Sequence, residues 1–115
     1  RIQEKARGVG FDWENADQVW AKVEEEVNEF RTEVKAGNDD RAGEEFGDIL
    51  FALINYARFK NINPEEALER TNRKFINRFQ YLEQEAASAG KSLQEMSLAE
   101  MDVYWEQAKL KEDKK

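Results

Sequence analysis

Apolar residues recur at alternating three- and four-residue steps from Trp20 through Val23, Val27 and Phe30 to Val34, and the whole chain holds one proline, Pro64. A period near 3.6 puts that series on one stripe of an α-helix and does not suit the strict alternation of a half-buried strand. Asn15 and Gln18 resemble a capping box at the start of the series and Gly37 suits a C-cap, so the spacing predicts a helix from Asn15 to about Ala36. After Gly37-Asn38-Asp39 a second helix is expected from about Asp40 to Phe59. Its apolar face, Phe46, Ile49, Leu50, Leu53, Ile54 and Ala57, is broad enough that this helix should be the most buried. Asn63-Pro64-Glu65-Glu66 supplies an N-cap, a proline at the first helical position and a capping glutamate for a third helix reaching about Ala89, before Gly90, with Leu68, Phe75, Phe79 and Leu82 on one side. A last helix from Ser97, capped by Glu100, carries Leu98, Met101, Trp105 and Ala108 and is expected to fray in Lys111-Glu112-Asp113-Lys114-Lys115. Ahead of all these, Ile2, Ala6 and Val9 are spaced like a short helix, with Gly8, Gly10, Phe11 and Trp13 forming an arm.

Amphipathic helices in 115 residues pack most simply as an all-α, antiparallel four-helix-type bundle with a short N-terminal helix, a single domain over 1–115. The breadth of the second helix's apolar face favours a homodimer. Arg1 stands where an initiator Met would, and the chain is expected to be a piece of a longer one.

Composition narrows the chemistry. A net charge of −7, from 18 basic against 25 acidic residues, repels a nucleic-acid polymer at long range. With no cysteine and no histidine, disulfides, thiolate nucleophiles, imidazole bases and the usual zinc ligand sets are excluded, and any catalysis must use carboxylates. No stretch approaches the roughly 20 apolar residues that span a bilayer, so no membrane is expected and the cytoplasm is the expected location.

Two neighbouring helices each carry an acidic pair, Glu26 with Glu29 and Glu45 with Asp48. At roughly 100° per residue, each pair projects from one flank of its helix, and Glu26 borders the stripe of Val23, Val27 and Phe30. Four carboxylates gathered in a groove repel unless protons or cations stand between them. An all-oxygen ligand set suits Mg²⁺, with Mn²⁺ as a substitute, and leaves room for water and phosphate. Either pair taken alone could equally be a solvated helix face, as Glu24, Glu33 and Glu44 are expected to be.

Spacing joins these residues into a signature. Glu25-Glu26-Val27-Asn28-Glu29, followed after 15 residues by Glu45-Phe46-Gly47-Asp48, resembles the Glu-Glu-x-x-Glu and Glu-x-x-Asp motifs of the MazG, or all-α NTP pyrophosphohydrolase, superfamily. Val9-Gly10-Phe11-Asp12-Trp13, Lys22-Val23-Glu24, the run Ile49 to Arg58, Asn72-Arg73-Lys74-Phe75, Arg78-Phe79 and Trp105 extend the likeness, which is greatest to the C-terminal MazG domain. The resemblance implies an enzyme that hydrolyses a nucleoside triphosphate to monophosphate and pyrophosphate with Mg²⁺ held by Glu26, Glu29, Glu45 and Asp48. It implies that Glu25 orients or activates water, with Glu25, Glu26 and Glu45 the catalytic group, and that Lys22, Lys74 and Arg78 lie near the phosphates. Trp105 either stacks on a base or ribose, as the resemblance implies, or serves as core. Alternatives are dUTP or dCTP, or phosphoribosyl-ATP, as substrate within the same superfamily, or a non-enzymatic helical dimerisation or regulatory module.

Overall fold

A computed structural model of the chain describes Ile2, Lys5, Ala6 and residues 12–113, and every long element among them is helical. Ile2, Lys5 and Ala6 of the expected N-terminal helix are helical, whereas Gly8, Val9, Gly10 and Phe11 lie outside the described residues. Helix α1 is Ala16–Lys35, α2 Asp39–Phe59, α3 Pro64–Ser88 and α4 Leu98–Asp113, with a 3-10 turn at Leu93–Glu95. No helix among the described residues is long and apolar enough to cross a membrane. The helices fall into two compact units, Arg1–Pro64 and Glu65–Lys115.

In the first unit, Asn15 caps α1 by accepting a hydrogen bond from the Gln18 backbone N–H at 3.0 Å, and the Gln18 side chain accepts in return from Glu14 N–H at 2.9 Å. The helix ends as the sequence predicts. Gly37, at φ 76°, donates to Val34 O while Asn38 donates to Glu33 O, satisfying two carbonyls that the helix leaves over. Three residues then reverse the chain, and α2 packs antiparallel to α1. Phe30 meets Phe46 near the turn at 5.7 Å, and Trp20 meets Tyr56 farther along both helices at 5.0 Å.

The expectation that the second helix is the most buried fails. On α2 only Ala52 and Asn55 are buried, while Phe46, Leu50, Phe51, Leu53 and Ile54 are 40–55% exposed. One packed helix covers one stripe of a wide apolar arc and leaves the remainder uncovered. Trp20 and Val34, expected on the packed stripe of α1, are exposed for the same reason: they sit at its margin, and Val19 and Val23 form its centre.

In the second unit, Leu82 and Ala86 of α3, Met96 just after the 3-10 turn and Ala108 of α4 are buried. Ser97 and Glu100 form a reciprocal capping box, each backbone N–H donating to the other's side chain at 3.2 Å. The expected frayed tail is helical through Asp113, because its side chains are tied to α3. Arg78 donates to both carboxylate oxygens of Glu112, at 3.1 Å from Nε and 2.9 Å from Nη2, and the Lys111 ammonium lies 4.6 Å from the centre of the Tyr81 ring.

Candidate active site

The packed stripe of α1 runs through Val19, Val23 and Glu26, so a glutamate occupies a position where the periodicity asks for a hydrophobe. Glu26 is only 5% exposed. An ionised carboxylate so placed is costly unless partnered, and Lys22, one turn earlier, reaches it at 3.0 Å. The same ammonium also reaches Glu25 at 3.3 Å, drawing the exposed Glu25 toward the rim of the site.

From α2, Glu45 comes into the same space. Ligand oxygens of Glu26, Glu29 and Glu45 all lie within 4.8 Å of one another, the one such acidic trio among the described residues. Asp48 does not join this trio; it lines an adjoining cavity together with Glu26. Its shorter side chain and its position three residues along α2 account for the separation.

Electrostatics within the trio are opposed. Lys22 beside Glu26 holds that carboxyl below the usual carboxylate range, against the pull of burial. In turn Lys22 is raised above its ordinary value, chiefly by its hydrogen bond to Glu26. Glu45 is pushed up to about 7, first by sharing a hydrogen bond with Glu26, then by burial and by Glu29. Neither Glu26 Oε2 nor Glu45 Oε2 has a donor among the described residues, although both are buried. Acceptors crowded together without donors are reconciled by a shared proton or by a cation. This donor set, all carboxylate oxygen with two atoms lacking partners, fits Mg²⁺ or Mn²⁺.

The adjoining cavity measures about 190 Å³. Lys22, Glu26 and Asp48 give it a charged side, Trp13, Val19, Phe51 and Ala52 give it apolar walls, and Asn55 lines it as well. Trp13, which the sequence places in the N-terminal arm, is therefore a cavity wall. Asn55 and Phe51 are absent from the sequence-based candidates. A polar residue inside the otherwise apolar run from Ile49 to Ala57 was the available signal for Asn55.

Of the remaining candidates, Lys74, Arg78 and Trp105 belong to the second unit. Lys74 is exposed. Trp105 packs edge-on against Phe75 at 5.1 Å, and the Arg78 guanidinium lies 5.7 Å from the centre of the Trp105 ring.

Residues 14–82 match the family model described as the MazG nucleotide pyrophosphohydrolase domain. Across 95% of its length the chain is 43% identical to the nucleoside triphosphate pyrophosphohydrolase/pyrophosphatase MazG of Thermotoga maritima, and across 97% it is 38% identical to the nucleoside triphosphate pyrophosphohydrolase of Escherichia coli K12. A 65-residue stretch is 58% identical to the uncharacterized protein YabN of Bacillus subtilis, where it covers 13% of that protein. The chain spans 42% and 43% of the first two relatives' own lengths. A match over more than half of the chain, carrying both acidic pairs, places this chain in the MazG nucleotide pyrophosphohydrolase domain family.

Proposed function

We propose that the chain hydrolyses nucleoside triphosphates to the monophosphate and pyrophosphate, using Mg²⁺ (or Mn²⁺ in its place) held by Glu26, Glu29 and Glu45, with Asp48 completing the set on the substrate side. One observation carries this reading: three carboxylates from two helices converge within 4.8 Å, and two of their buried oxygens lack donors. When bound, the cation supplies charge neutralisation to the triphosphate and makes water more acidic. The chain's own residues do the rest. Lys22 offers a positive charge beside the carboxylates for the negative charge that develops on the phosphate oxygens. Glu25, exposed and tethered by Lys22, takes the proton from the water that attacks the α-phosphorus. The bond from that phosphorus to the bridging oxygen breaks, and pyrophosphate departs with the electron pair. Lys74, Arg78 and Trp105 are proposed to contact phosphates and nucleoside, in keeping with the family resemblance. Broad rather than base-restricted turnover is proposed.

The reading is tested by measuring monophosphate and pyrophosphate release from a panel of ribo- and deoxyribonucleoside triphosphates, with Mg²⁺ and with EDTA. Pyrophosphate is expected from several members, and only with metal. Release of inorganic phosphate alone, or turnover that survives EDTA, overturns it.

A homodimer is proposed as well, supported by the exposed stripe of Phe46, Leu50, Leu53 and Ile54 on α2. A continuous apolar stripe of this kind is more often an interface than a free surface. Light scattering is expected to give twice the chain's 13.5 kDa, and a mass that stays at 13.5 kDa on concentration removes the dimer.

A further inference from the structure

We propose that the cavity beside the carboxylates receives the nucleobase of the triphosphate, with Asn55 reading the base edge and Trp13 forming one apolar wall. The proposal rests on the nucleotide reading of the same site. Asn55 is 6% exposed, and no hydrogen bond from its side chain to another described residue accompanies that burial. Buried amides in folded proteins are nearly always paired, so an amide left open toward a cavity is a recognition group waiting for a ligand. An asparagine side chain presents a donor beside an acceptor, and turning the amide over exchanges the two. It can therefore meet the paired edge of any of the bases in two hydrogen bonds, which is compatible with broad turnover.

Size and placement point the same way. At about 190 Å³ the cavity has room for a ring, and is smaller than the roughly 300 Å³ at which pockets for whole drug-sized ligands begin. Its charged side is formed by Lys22, Glu26 and Asp48, where triphosphate and cation belong, and its apolar walls offer those phosphates nothing. Asn55 follows Asp48 by seven residues, about 10 Å along the helix and within about 20° of the same face. That offset matches the reach of a nucleotide from its phosphates across the sugar to the base. The walls of Trp13, Val19, Phe51 and Ala52 would cover the faces of the ring, and the amide would meet its edge.

Calorimetric binding to the full chain in Mg²⁺ tests this, using a non-hydrolysable nucleoside triphosphate with a methylene bridge between the α- and β-phosphates and its abasic counterpart, ribose 5-triphosphate with the same bridge. The nucleotide is expected to bind the unaltered chain more tightly than the abasic ligand. Asn55→Ala is expected to weaken nucleotide binding about tenfold and leave abasic binding unchanged. Trp13→Ala, at a position 43% exposed, should show the same selectivity and keeps the test decisive if Asn55→Ala unfolds. Equal losses for both ligands, or no loss in either variant, overturn the proposed base site while leaving the metal site standing. Failure of both the nucleotide and the abasic ligand to bind the unaltered chain in Mg²⁺ instead removes the nucleotide reading, and the base site with it.

Discussion

Glu45→Gln is expected to lower metal-dependent pyrophosphate release by about a thousandfold and, above neutral pH, to raise the melting temperature of the metal-free chain. Both effects have one cause. Glu45 stands against Glu26 and Glu29 with no donor for its buried oxygen, and its carboxyl is pushed up to about 7. Above that pH the metal-free trio holds three negative charges within 4.8 Å, a repulsion that the fold bears and that a neutral amide relieves. The glutamine can also donate to Glu26, which the ionised carboxylate cannot. Loss of one anionic ligand removes several kcal/mol of charge stabilisation in the transition state, and each 1.36 kcal/mol is about tenfold in rate. Activity and metal-free stability thus move in opposite directions, which distinguishes a ligand from a structural residue, whose loss lowers both. Glu44→Gln, one residue away and exposed, changes neither by much. A Glu45→Gln chain that keeps its turnover, or one that melts lower without metal at high pH, removes the trio as the catalytic centre.

How much of this was legible in the sequence depends on which interactions are local. Helix starts and stops were readable where one side chain or one glycine decides them: Asn15 with Gln18, Ser97 with Glu100, and Gly37 at φ 76°. The end of α2 at Phe59 was read correctly too, although the left-handed position beyond it is held by Asn61 at φ 57°, an asparagine with no glycine to mark it. Continuation of α4 through Glu112 was hidden, since a charged tail looks solvated until its partner, Arg78 of α3, is known. Convergence of Glu26, Glu29 and Glu45 could be foreseen because both pairs lie on flanks of consecutive helices, and a three-residue turn forces those helices together. Separation of Asp48 from the trio, exposure of Phe51 and Leu53, and the cavity reaching Asn55 could not. Periodicity gives the face of a helix on which a residue lies and is silent about what covers that face.

Mg²⁺ binding is expected to strengthen about tenfold per pH unit as pH rises toward 7 and then to level off, with release of about one proton per cation below that pH. Glu45 carries this dependence. Its carboxyl is raised from 4.5 to about 7 in the folded, metal-free chain, so its contribution to stability is fully present below 4.5 and is lost as pH rises through 7. The metal-free chain therefore becomes less stable across the window in which its cation affinity grows. Glu26 shifts the other way: its lowered pKa gives stability that is present above 4.5 and lost only as pH falls below it, outside the window. Lys22, raised above 10.5, is charged throughout and contributes no slope there. Calorimetry in two buffers of different ionisation enthalpy counts the protons released, and thermal melts with EDTA and with Mg²⁺ across the same range should diverge as pH approaches 7. In Glu45→Gln both slopes are expected to flatten. Steep pH dependence surviving in that variant would assign the proton elsewhere in the trio, and Mg²⁺ affinity flat between pH 5 and 7 in the unaltered chain would show that no shared proton guards the site.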